Sequence, residues 1–172
     1  MIYRPIKTIL FLLILPFVLL QQSCGYKLSG ASIPPEMKTI SVQFFENTAS
    51  MVVPYLSQDF TEELKNRIRN QTRLSMVRAE GDANLEGRIT DYSIRPVAIQ
   101  GNERAGLSRL TITVNVKYTN VLKPEQSFEQ SFTRFQDLDL TRQSLQVQER
   151  ELIPAINRQL TEDIFNRAFA NW

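Results

Sequence analysis

Side chains that commonly carry chemistry are scarce in this chain. Its 172 residues include one cysteine, Cys24, and no histidine. Ser–His and Cys–His nucleophilic pairs and histidine-based zinc sites therefore lack a component. The carboxylates that remain, among them Glu62, Glu63, Asp82, Glu86 and Asp91, fall in patterns that solvated faces explain. No phosphate-cradling glycine loop and no dinucleotide fingerprint occurs in the sequence. No catalytic residue, metal ligand or cofactor is expected, and the chain is not expected to be an enzyme.

The lone thiol is placed suggestively. Arg4 and Lys7 precede an apolar run from Thr8 to Leu20, broken by Pro16, and the run gives way to Gln21-Gln22-Ser23-Cys24-Gly25. A positive n-region, a short apolar h-region and a small residue at its end make a secretory signal. A bilayer span needs about 20 apolar residues, so this run is too short for a transmembrane anchor. Ser23-Cys24 at the end of such a run resembles the lipobox of bacterial lipoproteins, with Leu20 one place further back than the strict pattern and Gln21 and Gln22 in its apolar and small positions. Cleavage between Ser23 and Cys24 would leave Cys24 as a lipidated first residue, which also accounts for an unpaired cysteine in an exported chain. One acyl chain holds a membrane only marginally, whereas several make a stable anchor.

The expected organisation is a signal peptide over residues 1–23, a lipidated N-terminus and tether over 24–37, and one domain over 38–172. Removing the signal leaves roughly 150 residues, enough for a single core. The signal holds two of the 20 basic residues and none of the 18 acids, so the remainder is neutral. A neutral chain without a basic excess does not point to nucleic acid.

Gly25 to Glu36 is rich in glycine and proline and reads as a loop. Thr39 to Phe45 alternates, with Ile40, Val42 and Phe44 expected on one face of a half-buried strand. After a polar turn over Glu46 to Ser50, Pro54 suits the first turn of a helix. Leu56, Phe60, Leu64 and Ile68 form that helix's apolar stripe. Arg73 to Arg78 supports a short strand. Asn84 to Ile99 reads as a long one with Leu85, Gly87 and Ile89 inward and Glu86, Arg88, Thr90 and Tyr92 outward. Pro96 marks an edge or a bulge late in it. A hairpin loop over Gln100 to Gly106 leads to the clearest strand, in which Leu110, Ile112, Val114, Val116 and Tyr118 alternate with polar residues. A further strand carries Phe128 and Phe132 on one face and Phe135 on the other. The last helix should start near Gln148 to Arg150, keeping Pro154 in or near its first turn, and run to about Ala170, while an earlier start would imply a kink. Trp172 is a terminal aromatic available to the core. These elements predict an α+β fold: a two-layer α/β sandwich with two helices packed on one face of a mostly antiparallel four- or five-stranded sheet.

In this order the motifs resemble the LptE lipoproteins of lipopolysaccharide assembly. The resemblance rests on Cys24-Gly25-Tyr26-Lys27-Leu28 with Gly30, on Asp82 to Tyr92 (DANLEGRITDY), and on Gln159 to Arg167 (QLTEDIFNR) in the last helix. It implies a plug inside an LptD-like outer-membrane β-barrel, aiding that barrel's assembly and delivery of lipopolysaccharide to the outer leaflet. With Gly25 rather than Asp after the cysteine, outer-membrane sorting and a domain facing the periplasm are expected. Lipid A phosphates suit arginine, which binds them by charge-assisted hydrogen bonds. Arg104 and Arg109, flanking the hairpin loop, are the candidate lipopolysaccharide contacts. The alternative is a lipoprotein chaperone or pilotin for another envelope assembly, such as a secretin.

Overall fold

The computed structural model describes residues 33–97 and 107–170. Ser23, Cys24, Arg104, the hairpin loop and Trp172 lie outside the described residues. Among the described residues six strands and two α-helices follow one another: β1 (Thr39–Val42), β2 (Glu46–Asn47), α1 (Leu56–Gln71), β3 (Ser75–Val77), β4 (Ala83–Pro96), β5 (Leu107–Asn120), β6 (Phe128–Asp139) and α2 (Leu145–Phe169). The strands form one sheet in the order β3-β1-β4-β5-β6, with β2 pairing beside β4 beyond the end of β1. The long β4–β5 and β5–β6 pairs are antiparallel, and the short β1–β3, β1–β4 and β2–β4 pairs are parallel. Two helices against a mostly antiparallel open sheet make the α+β sandwich expected. The sixth strand is the two-residue β2, within the stretch expected to be a turn.

The core lies between helices and sheet. Leu56, Phe60, Leu64 and Ile68 are fully buried, as are Leu110, Ile112, Val114 and Val116 of β5. Ile153, Ile156, Leu160 and Ile164 bring α2 onto the same face. The helices run parallel: Tyr55, before α1, neighbours Glu149 near the start of α2, and Arg67 donates to the Arg158 carbonyl (2.9 Å) and the Thr161 hydroxyl (3.1 Å) further along both. Both helices therefore begin at one end of the molecule. Arg134 of β6 grips Asp163 of α2 with two hydrogen bonds of 2.6 Å, tying the edge strand to the helix layer.

Two aromatic positions differ from the alternation read in the sequence, for one reason. Between Val42↔Leu85 and Glu46↔Arg88 the first chain advances four residues and its partner three. The extra residue reverses the pleat: Phe44 is 57% exposed and Phe45 is buried in its place. The Phe45 amide donates to the Thr61 hydroxyl (3.1 Å), and its ring meets Phe60 edge-on at 5.2 Å between centroids. The second insertion is Thr90, where Ile89 faces Val114 and Asp91 already faces Thr113. A bulge of one residue exchanges the faces of everything beyond it. Tyr92, expected to point outward, is 2% exposed and pairs with Ile112 in the core. Its hydroxyl donates to the Glu149 carboxylate of α2.

Helix α2 starts at Leu145, earlier than the Gln148–Arg150 start expected, so Pro154 lies in its interior. The early turns are held from outside the helix. Gln148 accepts the Asp139 amide (3.0 Å) and donates to the carbonyls of Asp139 (2.9 Å) and Gln143 (2.8 Å). Helix α1 starts two residues after Pro54, which sits in the preceding turn. At the other end Pro96 closes β4, where β1 and β2 no longer flank it, so it occupies an edge.

Candidate functional site

The sheet face opposite the helices is open, and its side chains meet in rows across β4, β5 and β6. Glu86, Lys117 and Glu129 form one row, with Lys117 bridging to Glu86 at 2.7 Å. The middle of the face is hydroxyl and amide: Thr113 meets Thr133 at 3.0 Å, and Asn115 stands between Arg88 and Ser131. At the far end Arg95, Arg109 and Asp137 are directly opposite one another. The face thus grades from an acid-rich row to an arginine-rich one.

Arg109 is held on three sides. Its Nε donates to Asp137 Oδ1 at 2.7 Å and its Nη2 to Oδ2 at 3.1 Å, while the guanidinium lies 3.8 Å from the centre of the Phe135 ring. Hydrogen bonding from Arg109 keeps the Asp137 carboxyl below its usual range, and Asp137 in turn raises the Arg109 pKa. The Nη1 edge carries no hydrogen bond among the described residues and stays available to a further acceptor. Arg95, exposed across from it, has no ion-pair partner among the described residues. Reading the sequence missed Arg95. Its place beside Arg109 follows only from the β4–β5 register, which pairs Arg95 with Arg109 and Pro96 with Ser108. Arg104 itself lies outside the described residues.

Large exposed apolar side chains other than Phe44 and Phe135 lie at the two ends of the molecule among the described residues. Where both helices begin, Met51, Val52, Tyr55, Leu140 and Val147 are exposed, and the hairpin leaves from this same end, since Leu107 pairs with Asp139. The opposite end carries Val121 and Leu122 in the turn between β5 and β6. There the chain enters the domain, and Asp82, expected on a solvated face, does structural work. Its carboxylate accepts the amides of Lys38 (2.8 Å) and Thr39 (2.9 Å), and these bonds hold its pKa below the usual carboxylate range. Among the described residues no cluster of His, Cys, Asp or Glu could hold a metal, and no helix is long and apolar enough to cross a membrane.

Exposed apolar side chains at the ends and a graded polar sheet face suit a binding surface. Residues 37–168 match the family model described as LptE, Lipopolysaccharide-assembly. The chain belongs to the LptE family. The role that the family's description gives is lipopolysaccharide assembly. No curated protein matches the chain. Among solved structures, a minor lipoprotein from Acinetobacter baumannii is similar at 16% identity and a TM-score of 0.52, covering 76% of this chain and 91% of that one. Rare lipoprotein B from Shewanella oneidensis is similar at 14% identity and a TM-score of 0.50, covering 75% and 92%. An uncharacterized lipoprotein B from Nitrosomonas europaea is similar at 16% identity and the same TM-score of 0.50, covering 82% and 88%. At such identities the likeness to these structures is one of fold.

Proposed function

We infer that this LptE-family chain is an outer-membrane lipoprotein, cleaved between Ser23 and Cys24 and anchored through Cys24, with its domain facing the periplasm. Its task is to assist assembly of an LptD-like β-barrel and delivery of lipopolysaccharide to the outer leaflet. The observation that carries the reading is the family match over residues 37–168. Its surface is consistent with holding a partner: the end at which both helices begin exposes Met51, Val52, Tyr55, Leu140 and Val147. Depleting the protein should lower the amount of assembled barrel, and pull-down from detergent-solubilised envelopes should recover one large barrel. Normal barrel levels on depletion, or recovery of a secretin in place of the barrel, would overturn the reading.

The lipopolysaccharide contacts in this reading are Arg104 and Arg109, and Arg95 joins them through its place opposite Arg109. Each lost charge-assisted hydrogen bond to a lipid A phosphate should cost about 1.5–3 kcal/mol of binding. Arg104→Gln with Arg109→Gln tests this better than reversal to Asp, because an acid at 109 would face Asp137. Unchanged affinity for purified lipopolysaccharide would remove the arginines from the assignment and leave the barrel role standing.

A further inference from the structure

The turn between β5 and β6 presents Val121 and Leu122, 57% and 44% exposed, and it is built to do so. Asn120, only 1% exposed, accepts the amides of Leu122 (3.1 Å) and Lys123 (2.9 Å) and donates to Gln126 (2.9 Å). The Val121 amide donates to the Asp82 carbonyl (2.9 Å), and Pro124–Gln126 forms a single 3-10 turn behind it. A buried amide thus fixes the backbone while two aliphatic side chains point into solvent, with the exposed Lys123 next to them.

The position of this turn identifies what it faces. Ile33, where the described chain begins, lines a cavity of about 240 Å³ together with Glu125 and Gln126 of the same connection and with Arg167 and Phe169 at the end of α2. Eight residues lie between Cys24 and Ile33, and an extended chain spans at most about 3.3–3.6 Å per residue, so the tether reaches about 32 Å at most. Resting on the reading of Cys24 as the lipid anchor, we propose that the Val121–Leu122 turn docks on the bilayer that holds Cys24. Val121 and Leu122 sit at the boundary between headgroups and acyl chains, and the Lys123 ammonium meets headgroup phosphate. Two aliphatic side chains bind a membrane weakly when free in solution. On a short tether the effective concentration is high, and a weak contact becomes an occupied one. The docked turn holds this end of the domain at the lipid surface and leaves the exposed Met51, Val52, Tyr55 and Val147 at the opposite end to a protein partner.

Full-length acylated protein in vesicles of phosphatidylethanolamine and phosphatidylglycerol tests this. An environment-sensitive fluorophore is attached through Leu122→Cys or, at the opposite end, through Val147→Cys; acylated Cys24 does not react with the dye. Nitroxide-labelled lipid should quench emission from position 122 and leave position 147 unchanged, and adding Val121→Ser and Lys123→Glu should abolish the quenching at 122. Intact acylation by mass spectrometry with no quenching at 122, or equal quenching at both positions, overturns the docked turn while the lipoprotein reading stands. Absence of acylation at Cys24 overturns both.

Discussion

Gly87 stands where no side chain fits. A Cβ at this position would lie 2.1 Å from the Asn115 carbonyl oxygen and 2.6 Å from the Phe45 ring, so the glycine is the socket into which the inserted strand residue drops its aromatic. The obstruction on one side is backbone of the central strand β5, which cannot give way as a flexible side chain would. Gly87→Ala should therefore destabilise the fold by about 1–3 kcal/mol, the usual range for overpacking, read as a lower urea midpoint with an unchanged slope. Tyr118 supplies a second test. Burial pushes its phenol up to about 12 from the ordinary 10.0. Between those two values the unfolded chain has lost this proton and the folded one keeps it, so this contribution is complete below pH 10 and is lost as pH rises toward 12. The two-unit difference is worth on the order of 2 kcal/mol. Thermal midpoints should fall as pH passes 10, and Tyr118→Phe should make that fall shallower; an unchanged alkaline slope in the variant would remove Tyr118 as its source. Tyr92, whose phenol is raised by burial and by Glu149, keeps part of the slope in place.

Among the elements, α2 carries the clearest local conflict. Pro154 is exposed in its interior, so it gives up a backbone hydrogen bond without filling a place in the core. An interior proline costs a helix about 3 kcal/mol, offset in part by about 0.4–1 kcal/mol from its restriction of the unfolded chain. Pro154→Ala should raise stability by about 2–2.5 kcal/mol in urea unfolding, and a destabilised variant would show that packing depends on the proline. The start of this helix escaped the sequence because what holds it is remote: Gln148 reaches back to Asp139, a contact that no periodicity within α2 reveals. The strands divide in the same way. Alternation identified β5 from Arg109 to Tyr118 because β5 is paired on both sides without interruption there. It failed at Phe44, Phe45 and Tyr92 because a bulge is a difference in count between two strands, and neither strand's own sequence holds that count. The candidate site was half legible for a related reason. Arg109 stood out beside the loop, whereas its partners Asp137 and Arg95 became neighbours only once the strands were in register.

At the scale of the whole molecule the two ends differ: one receives the chain from Cys24 and the other gathers both helix starts, the hairpin and most of the exposed apolar side chains. That division presupposes the anchor, which a single substitution tests. Cys24→Ser should abolish incorporation of labelled palmitate and release the protein from the membrane fraction, and continued labelling of the variant would place the acyl chain elsewhere. The strand order also sets a schedule. Strands β4, β5 and β6 follow one another in the chain and pair with their sequence neighbours, whereas the Thr39 amide must wait for Asp82, 43 residues later. Bringing distant segments together costs more loop entropy than pairing consecutive ones. A chain threading out of a channel from its N-terminal end therefore delivers β1 first and can seat it only after the start of β4 has emerged. Throughout that interval Ile40 and Phe45, two fully buried side chains of the finished core, travel without cover. The oldest strand of the nascent chain joins its neighbours late, and a holdase guarding the unfinished chain would have its first client in β1 and the residues just after it.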